Sequence, residues 1–332
     1  MASLREIKDH IASVRSTLKI TSAMKLVASA KLRKAQQAAE GIRPYTAALS
    51  QMLTAVLSAG QGVSPSLRPS AVADPSQPDG WAPPVTATGG YGCERDSSLA
   101  DRHARPDSAG SHARPDRASV AIVAVASNSS LCGAFNINVI HKVQEVVEEC
   151  RRAGESVEVI SVGRKMAEAM RKAGFAPEDN ADLVGRNSFE KSSAFAQTLI
   201  DGFNSGRYSR LLLLYNHLVS PASQKVCVET YLPFAMSGGE ELPTSGQKPE
   251  EYILEPGREE ILATLLPQVM RLRVHTVLLD SIAAEHAART LAMQAASDNA
   301  EDLLGELTLE YNKGRQQKIT AEILDLVGGA QQ

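Results

Sequence analysis

Leu4-Arg-Glu-Ile7-Lys-Asp-His-Ile11-Ala-Ser-Val14-Arg-Ser-Thr-Leu18 opens a stretch in which apolar residues recur at alternating steps of three and four. The series runs on through Thr21, Lys25, Ala28, Leu32, Ala35, Ala39, Ile42, Thr46, Leu49 and Leu53 to Val56, and only Thr21, Lys25 and Thr46 interrupt it. Such steps keep side chains on one stripe of an α-helix. A stripe sustained for about eight heptads is the pattern of a coiled-coil strand. No glycine precedes Gly41 and no proline precedes Pro44. At 1.5 Å per residue this helix would reach roughly 85 Å, and a helix so long needs a long partner to cover its stripe.

The other end of the chain supplies one. From Glu259 to about Val327 the sequence is again helix-forming, led in by Glu255-Pro256-Gly257 and closed by Gly328-Gly329. Pro267 predicts a kink or the true start of this second helix. Its middle carries Ala283, Ala284, Ala287, Ala288, Ala292, Ala295, Ala296 and Ala300, and the first helix is small-sided around Ala28, Ala30, Ala35, Ala38 and Ala39. Small side chains on both let the two axes approach closely. Residues 1–57 hold nine Lys/Arg against three Asp/Glu, and residues 258–332 seven against eleven, so the balances are +6 and −4. Opposite signs favour association, mainly as orientation and rate. The bland alternative is two unrelated amphipathic helices packed on a globular body; the length of both stripes weighs against it.

Between about Gly60 and Arg117 proline, serine, glycine and aspartate dominate, and His103-Ala-Arg-Pro-Asp107 recurs as His112-Ala-Arg-Pro-Asp116. This composition buries too little apolar surface to offset its ordering entropy, so 60–117 reads as a low-complexity, disordered insertion. From Ser119 the pattern becomes α/β. Strands are expected over Val120–Ala126, Val157–Val162, Arg210–Asn216 and Lys225–Leu232, and helices over Asn136–Arg152, Arg164–Ala173 and Phe189–Asn204. Strands alternating with helices predict a parallel or mixed sheet covered by helices. The expected organisation is a coiled-coil helix over 1–59, the insertion over 60–117, an α/β globular head over 118–255 and a coiled-coil helix over 256–332.

Several chemistries are argued against. The chain has 332 residues with 43% apolar and 4% aromatic content, a net charge of −3 and four cysteines. The aromatic shortage speaks against a base-stacking surface, and the charge gives no reason to expect nucleic acid or anionic lipid. Cys93, Cys132, Cys150 and Cys227 lie far apart without a C-x-x-C pair, against a disulfide framework or a cysteine zinc site. No apolar run spans a bilayer, and the N-terminus carries a charged helix pattern where a signal peptide needs an apolar stretch. The first strand ends in Ser127-Asn-Ser-Ser-Leu-Cys-Gly-Ala-Phe-Asn136, with one glycine and neither phosphate-loop spacing. Cys132 has no base nearby in sequence and reads as a turn residue rather than a nucleophile. His286 reads as a surface or interface residue, and Glu285 and Arg289 stand one helical turn apart as an i,i+4 pair. No catalytic, cofactor or metal residues are expected.

Read together, the two ends resemble the γ subunit of the F-type ATP synthase, the central rotor shaft. The match runs from Ile7-Lys-Asp-His-Ile11 through Ile20-Thr-Ser-Ala-Met-Lys-Leu-Val-Ala-Ser-Ala-Lys-Leu-Arg-Lys34. It resumes in Glu285-His-Ala-Ala-Arg289, Met293, Ser297-Asp-Asn-Ala300, Glu306-Leu, Tyr311-Asn-Lys and Arg315-Gln-Gln-Lys-Ile-Thr320, and the head adds Leu131-Cys-Gly-Ala-Phe-Asn136 and Leu214-Tyr-Asn216. The resemblance implies an antiparallel coiled coil of the chain ends with a Rossmann-like head. It implies one copy standing in the α₃β₃ hexamer, with the head meeting the ε subunit and the c-ring. Ring rotation driven by protons would turn the shaft and drive the catalytic β subunits through different nucleotide affinities. The ATP chemistry then belongs to β, and this chain is a non-catalytic subunit without a cofactor.

The residues carried over are Met24 and Lys25 near the β-subunit lever, Glu285 and Arg289 facing the same region, and Arg315, Gln316 and Thr320 at the catch loop. In place of the family's usual Asp-Arg-Gly the chain has Asn128-Ser129-Ser130, so the charged turn is absent here. The location implied is the cytoplasmic face of a bacterial inner membrane, as a peripheral protein. The rival from the residues alone is a cytosolic coiled-coil scaffold with an α/β head and no role in energy coupling; a third is an enzyme using the head cleft.

Overall fold

The computed structural model describes residues 4–58, 119–178, 180–185, 187–234, 255 and 257–329. The expected insertion at 60–117 and the last part of the expected head, 235–254, lie outside the described residues. The first helix, α1, spans Leu4–Ser58. Every position of its stripe is buried or half-buried, with Ile7, Ala28, Ala35, Leu49, Leu53 and Val56 fully so. The stripe faces a single helix of 72 residues, Arg258–Gly329, named α6 by its place in the chain.

The two helices run in opposite directions. Leu53 and Val56 cluster with Leu262 at one end, and Leu4 lies against Gly314 at the other. Two of the three breaks in the stripe are satisfied across this contact. Ser297 Oγ donates to Thr21 Oγ1 at 2.9 Å, and Lys25 Nζ donates to Gln294 Oε1 at 2.6 Å. The third, Thr46, turns its hydroxyl back to the Ile42 carbonyl at 3.0 Å. Past Gly314, which lies against Leu4, residues 315–324 are all exposed.

Pro267 is neither the start of α6 nor a break in it: the helix begins at Arg258 and continues through the proline. The ring removes one backbone hydrogen bond, while Leu266 and Met270 on either side are buried in the head core and hold the helix in place.

The head contains strands β1 (Ser119–Val125), β2 (Ser156–Val162), β3 (Arg210–Ser220) and β4 (Ser223–Leu232). Its helices are α2 (Phe135–Arg152), α3 (Arg164–Lys172), α4 (Ala181–Gly185) and α5 (Phe189–Asn204). The sheet order is β2-β1-β3-β4, with β1 parallel to both neighbours and β4 antiparallel to β3. β3 and β4 run further than their apolar cores indicate, because hairpin pairing of Leu218 with Gln224 and Ser220 with Ser223 extends the ladder. α4, five residues with one buried side chain, Leu183, is too short to show a period.

Alternation along β1 divides two cores. Val120, Ile122 and Ala124 face α2 and α3, while Ala121, Val123 and Val125 face α5 and residues 266–278 of α6. The long helix is therefore one layer of the head as well as one strand of the shaft. Behind the sheet rim, Gly163 has φ of 102°, and a Cβ there would stand 2.2 Å from the Ala126 carbonyl oxygen, so only glycine fits. Cys132 and Cys150 are buried free thiols. Cys227 is disulfide-bonded, which corrects the reading of it as an isolated thiol. No described helix is long and apolar enough to cross a membrane, and no group of His, Cys, Asp and Glu among the described residues could hold a metal ion.

Candidate interaction surface

In an open parallel sheet a ligand crevice forms beyond the carboxyl ends of the strands where the winding reverses. Here that point lies between β1 and β3, and the shaft fills it. Cys132 and Phe135 pack against Ala284 and Ala288 of α6, with Leu218 beside them. A polar lattice fixes the turn after β1. Ser127 N–H donates to Asn136 Oδ1 at 3.0 Å, Asn136 Nδ2 donates to Ser127 Oγ at 2.8 Å and to Cys132 Sγ at 3.1 Å, and Asn216 Nδ2 donates to the Phe135 carbonyl at 3.1 Å. Cys132 is thus a packing residue between turn and shaft. Asn128 stands at the head of the altered turn. Its Oδ1 accepts Arg164 N–H at 3.1 Å and its Nδ2 donates to the Ala181 carbonyl at 2.8 Å, so a neutral amide ties the β1 end to α3 and α4.

The seven candidate contact residues fall on three levels of the shaft rather than in one site. Met24 and Lys25 are half-buried on α1, at the level of Gln294. Glu285 and Arg289 lie on α6 beneath the head turn: Arg289 Nη2 holds Glu285 Oε1 at 2.9 Å, with the two side chains 12% and 6% exposed. Its guanidinium also reaches the Ser129 and Ser130 carbonyls at 3.5 Å each. Arg315, Gln316 and Thr320 are exposed beyond the end of α1, where Thr320 Oγ1 donates to the Gln316 carbonyl at 2.9 Å. From Glu285 to Gln316 the helix rises roughly 46 Å.

Electrostatically, the middle level is distinctive. Burial pushes the Glu285 carboxyl up, against the opposing pull of Arg289 and Lys31. Burial, followed by the charges of Arg289 and Lys31, lowers the neighbouring His286 to about 4. At neutral pH it is an uncharged imidazole whose Nδ1 has no partner. Neither Lys31 nor Gln294 was singled out by reading each helix alone. The signal available for Gln294 was a matched spacing: polar breaks four residues apart on α1, at Thr21 and Lys25, face breaks three apart on α6, at Ser297 and Gln294. A shallow depression of about 400 Å³ on α2 and β4, lined by Ile137, His141, Lys142, Glu145 and Val226 among others, contains none of the candidate residues.

The fold defines a class: a pair of long antiparallel helices carrying an α/β head. The chain matches the family described as ATP synthase over residues 3–332. It is 41% identical to the ATP synthase gamma chain of Phocaeicola vulgatus, covering 99% of both chains, and 40% identical to that of Bacteroides thetaiotaomicron over all of both. The chain belongs to the ATP synthase gamma chain family. Its fold is similar to the rotor of the Euglena gracilis mitochondrial ATP synthase, with a TM-score of 0.54 at 18% identity, covering 95% of this chain and 98% of that one. A second chain, from the OSCP/F1/c-ring structure of the same enzyme, gives a TM-score of 0.55 at 18% identity over 98% and 92%.

Proposed function

We propose that the chain is the central rotor shaft of an F-type ATP synthase, coupling rotation of a proton-driven c-ring to the nucleotide cycle of the catalytic β subunits. The observation that carries this reading is α6. One helix is at once a layer of the head and, over residues 315–324, an exposed rod. α1 and α6 form an antiparallel coiled coil, and the Rossmann-like head between them interrupts it.

The rod stands in the hexamer of α and β subunits, while the head meets the ε subunit and the c-ring, in one copy per complex. The chain is non-catalytic and peripheral, on the cytoplasmic face of a bacterial inner membrane. A rotor shifts β-subunit populations only through contacts that differ between their open and closed states. The three levels supply them: Met24 and Lys25 with Glu285 and Arg289 toward the β lever, and Arg315, Gln316 and Thr320 toward the catch loop.

The test is reconstitution with cognate α and β subunits, scored for a complex holding one copy of this chain and for ATP hydrolysis. Assembly and hydrolysis, both weakened by Gln316→Ala and by truncation before Arg315, are expected. No complex with α and β would overturn the reading and leave a scaffold in its place.

A further inference from the structure

The head holds α6 by polar grips on opposite flanks. Leu266, Met270, Val274 and Val277 form the ridge that packs into the head core. At about 100° per residue, Arg273 and Asp280 project roughly 100–120° to one side of Val274, and His275 about 100° to the other. On the first flank Arg273 makes a two-pronged pair with Glu229 of β4, at 2.8 and 2.7 Å. Two turns further on, Asp280 accepts the Leu218 N–H of β3 at 3.2 Å and meets His217 Nδ1 at 2.5 Å. On the second flank His275 Nδ1 lies 3.0 Å from Ser192 Oγ of α5, its ring edge-on to Phe189 with centroids 5.4 Å apart.

Apolar contacts are non-directional, so a helix held by them alone can roll in its groove. Charge-assisted and bidentate hydrogen bonds fix direction, and grips on both flanks resist rolling in either sense. α1 packs along α6 and has no comparably extensive contact with any element of the head. Its cross-helix polar links include Thr21 with Ser297 and Lys25 with Gln294.

We propose that the head is keyed to α6 rather than to α1, which makes α6 the torque-bearing member of the shaft and α1 its brace. This rests on the rotor reading above. Torque from the head enters α6 through the Arg273–Glu229 and Asp280–His217 grips and reaches α1 chiefly along the helix pair.

The experiment uses the whole synthase in vesicles and reads ATP hydrolysis, ATP-driven proton pumping and the thermal unfolding midpoint of the isolated chain. Arg273→Met with Glu229→Met replaces both partners by apolar groups and so limits the stability penalty; Asp280→Asn is added to it. The expected result is loss of pumping with hydrolysis and the midpoint near wild type. Arg273→Lys, which keeps the charge, retains part of the pumping, and Thr21→Val with Ser297→Val leaves pumping intact. Wild-type pumping in the triple variant overturns the proposal, as does a loss no larger than the fall in hydrolysis and midpoint, or an equal loss in the α1–α6 variant. A wild-type chain that assembles but does not pump counts instead against the rotor reading.

Discussion

Arg289 and Glu285 form an ion pair almost wholly out of water, and that changes what each is worth. On an exposed helix such a pair contributes a few tenths of a kcal/mol; with Glu285 only 5% exposed, removing one partner strands a buried charge. Arg289→Ala should therefore cost about 3–5 kcal/mol, while Glu285→Leu with Arg289→Met should cost far less; urea midpoints of the three chains decide it. His286 adds a pH dependence. Its folded state resists protonation from the ordinary 6.5 down to about 4, whereas the unfolded chain takes the proton near 6.5. Stability should fall as pH drops through that interval and level off below it. His286→Gln, which cannot take the proton, should flatten the slope of midpoint against pH. The i,i+4 spacing announced the pair, but its burial was not legible from the residues alone, because the turn that meets Arg289 lies some 160 positions earlier in the chain.

At the scale of elements, the shaft was legible and the joint was not. Sixteen positions of α1, spaced by threes and fours, name the face that packs, because a long helix offers a repeating signal. α4 offers none, and β3 outran its apolar run because hairpin pairing, not hydrophobicity, sets its end. The plugged crevice could not be foreseen either, since the alanines that fill it serve equally for helix pairing. Ala284 is fully buried between Cys132 and Phe135. Ala284→Leu should overpack the joint by roughly 1–3 kcal/mol, seen as a lower unfolding midpoint for the head. Truncation after Gly314 should leave that midpoint unchanged, because residues 315–324 are exposed.

For the whole molecule, head and shaft share a core. Leu266, Met270, Val274, Val277 and Leu278 belong to α6 yet lie in the main cluster of the head. Each contributes about 1.5–3 kcal/mol by burial, a sum of the same order as the entire stability of a typical domain. Residues 118–255 expressed alone should give no sigmoidal urea transition, and a version that also carries α6 as far as Ala292 should recover one; circular dichroism reads both. The antiparallel pairing of Leu4 with the neighbourhood of Gly314 also sets a timetable for biosynthesis. α1 leaves the ribosome well before its partner. At translation rates of about 5–20 residues per second, the apolar stripe of α1 waits roughly 15–60 s for α6 to emerge. During that interval it is a long sticky ribbon with nothing to bind. A nascent chain stalled before residue 258 should therefore be a strong client for holding chaperones, and release should follow once α6 has been made.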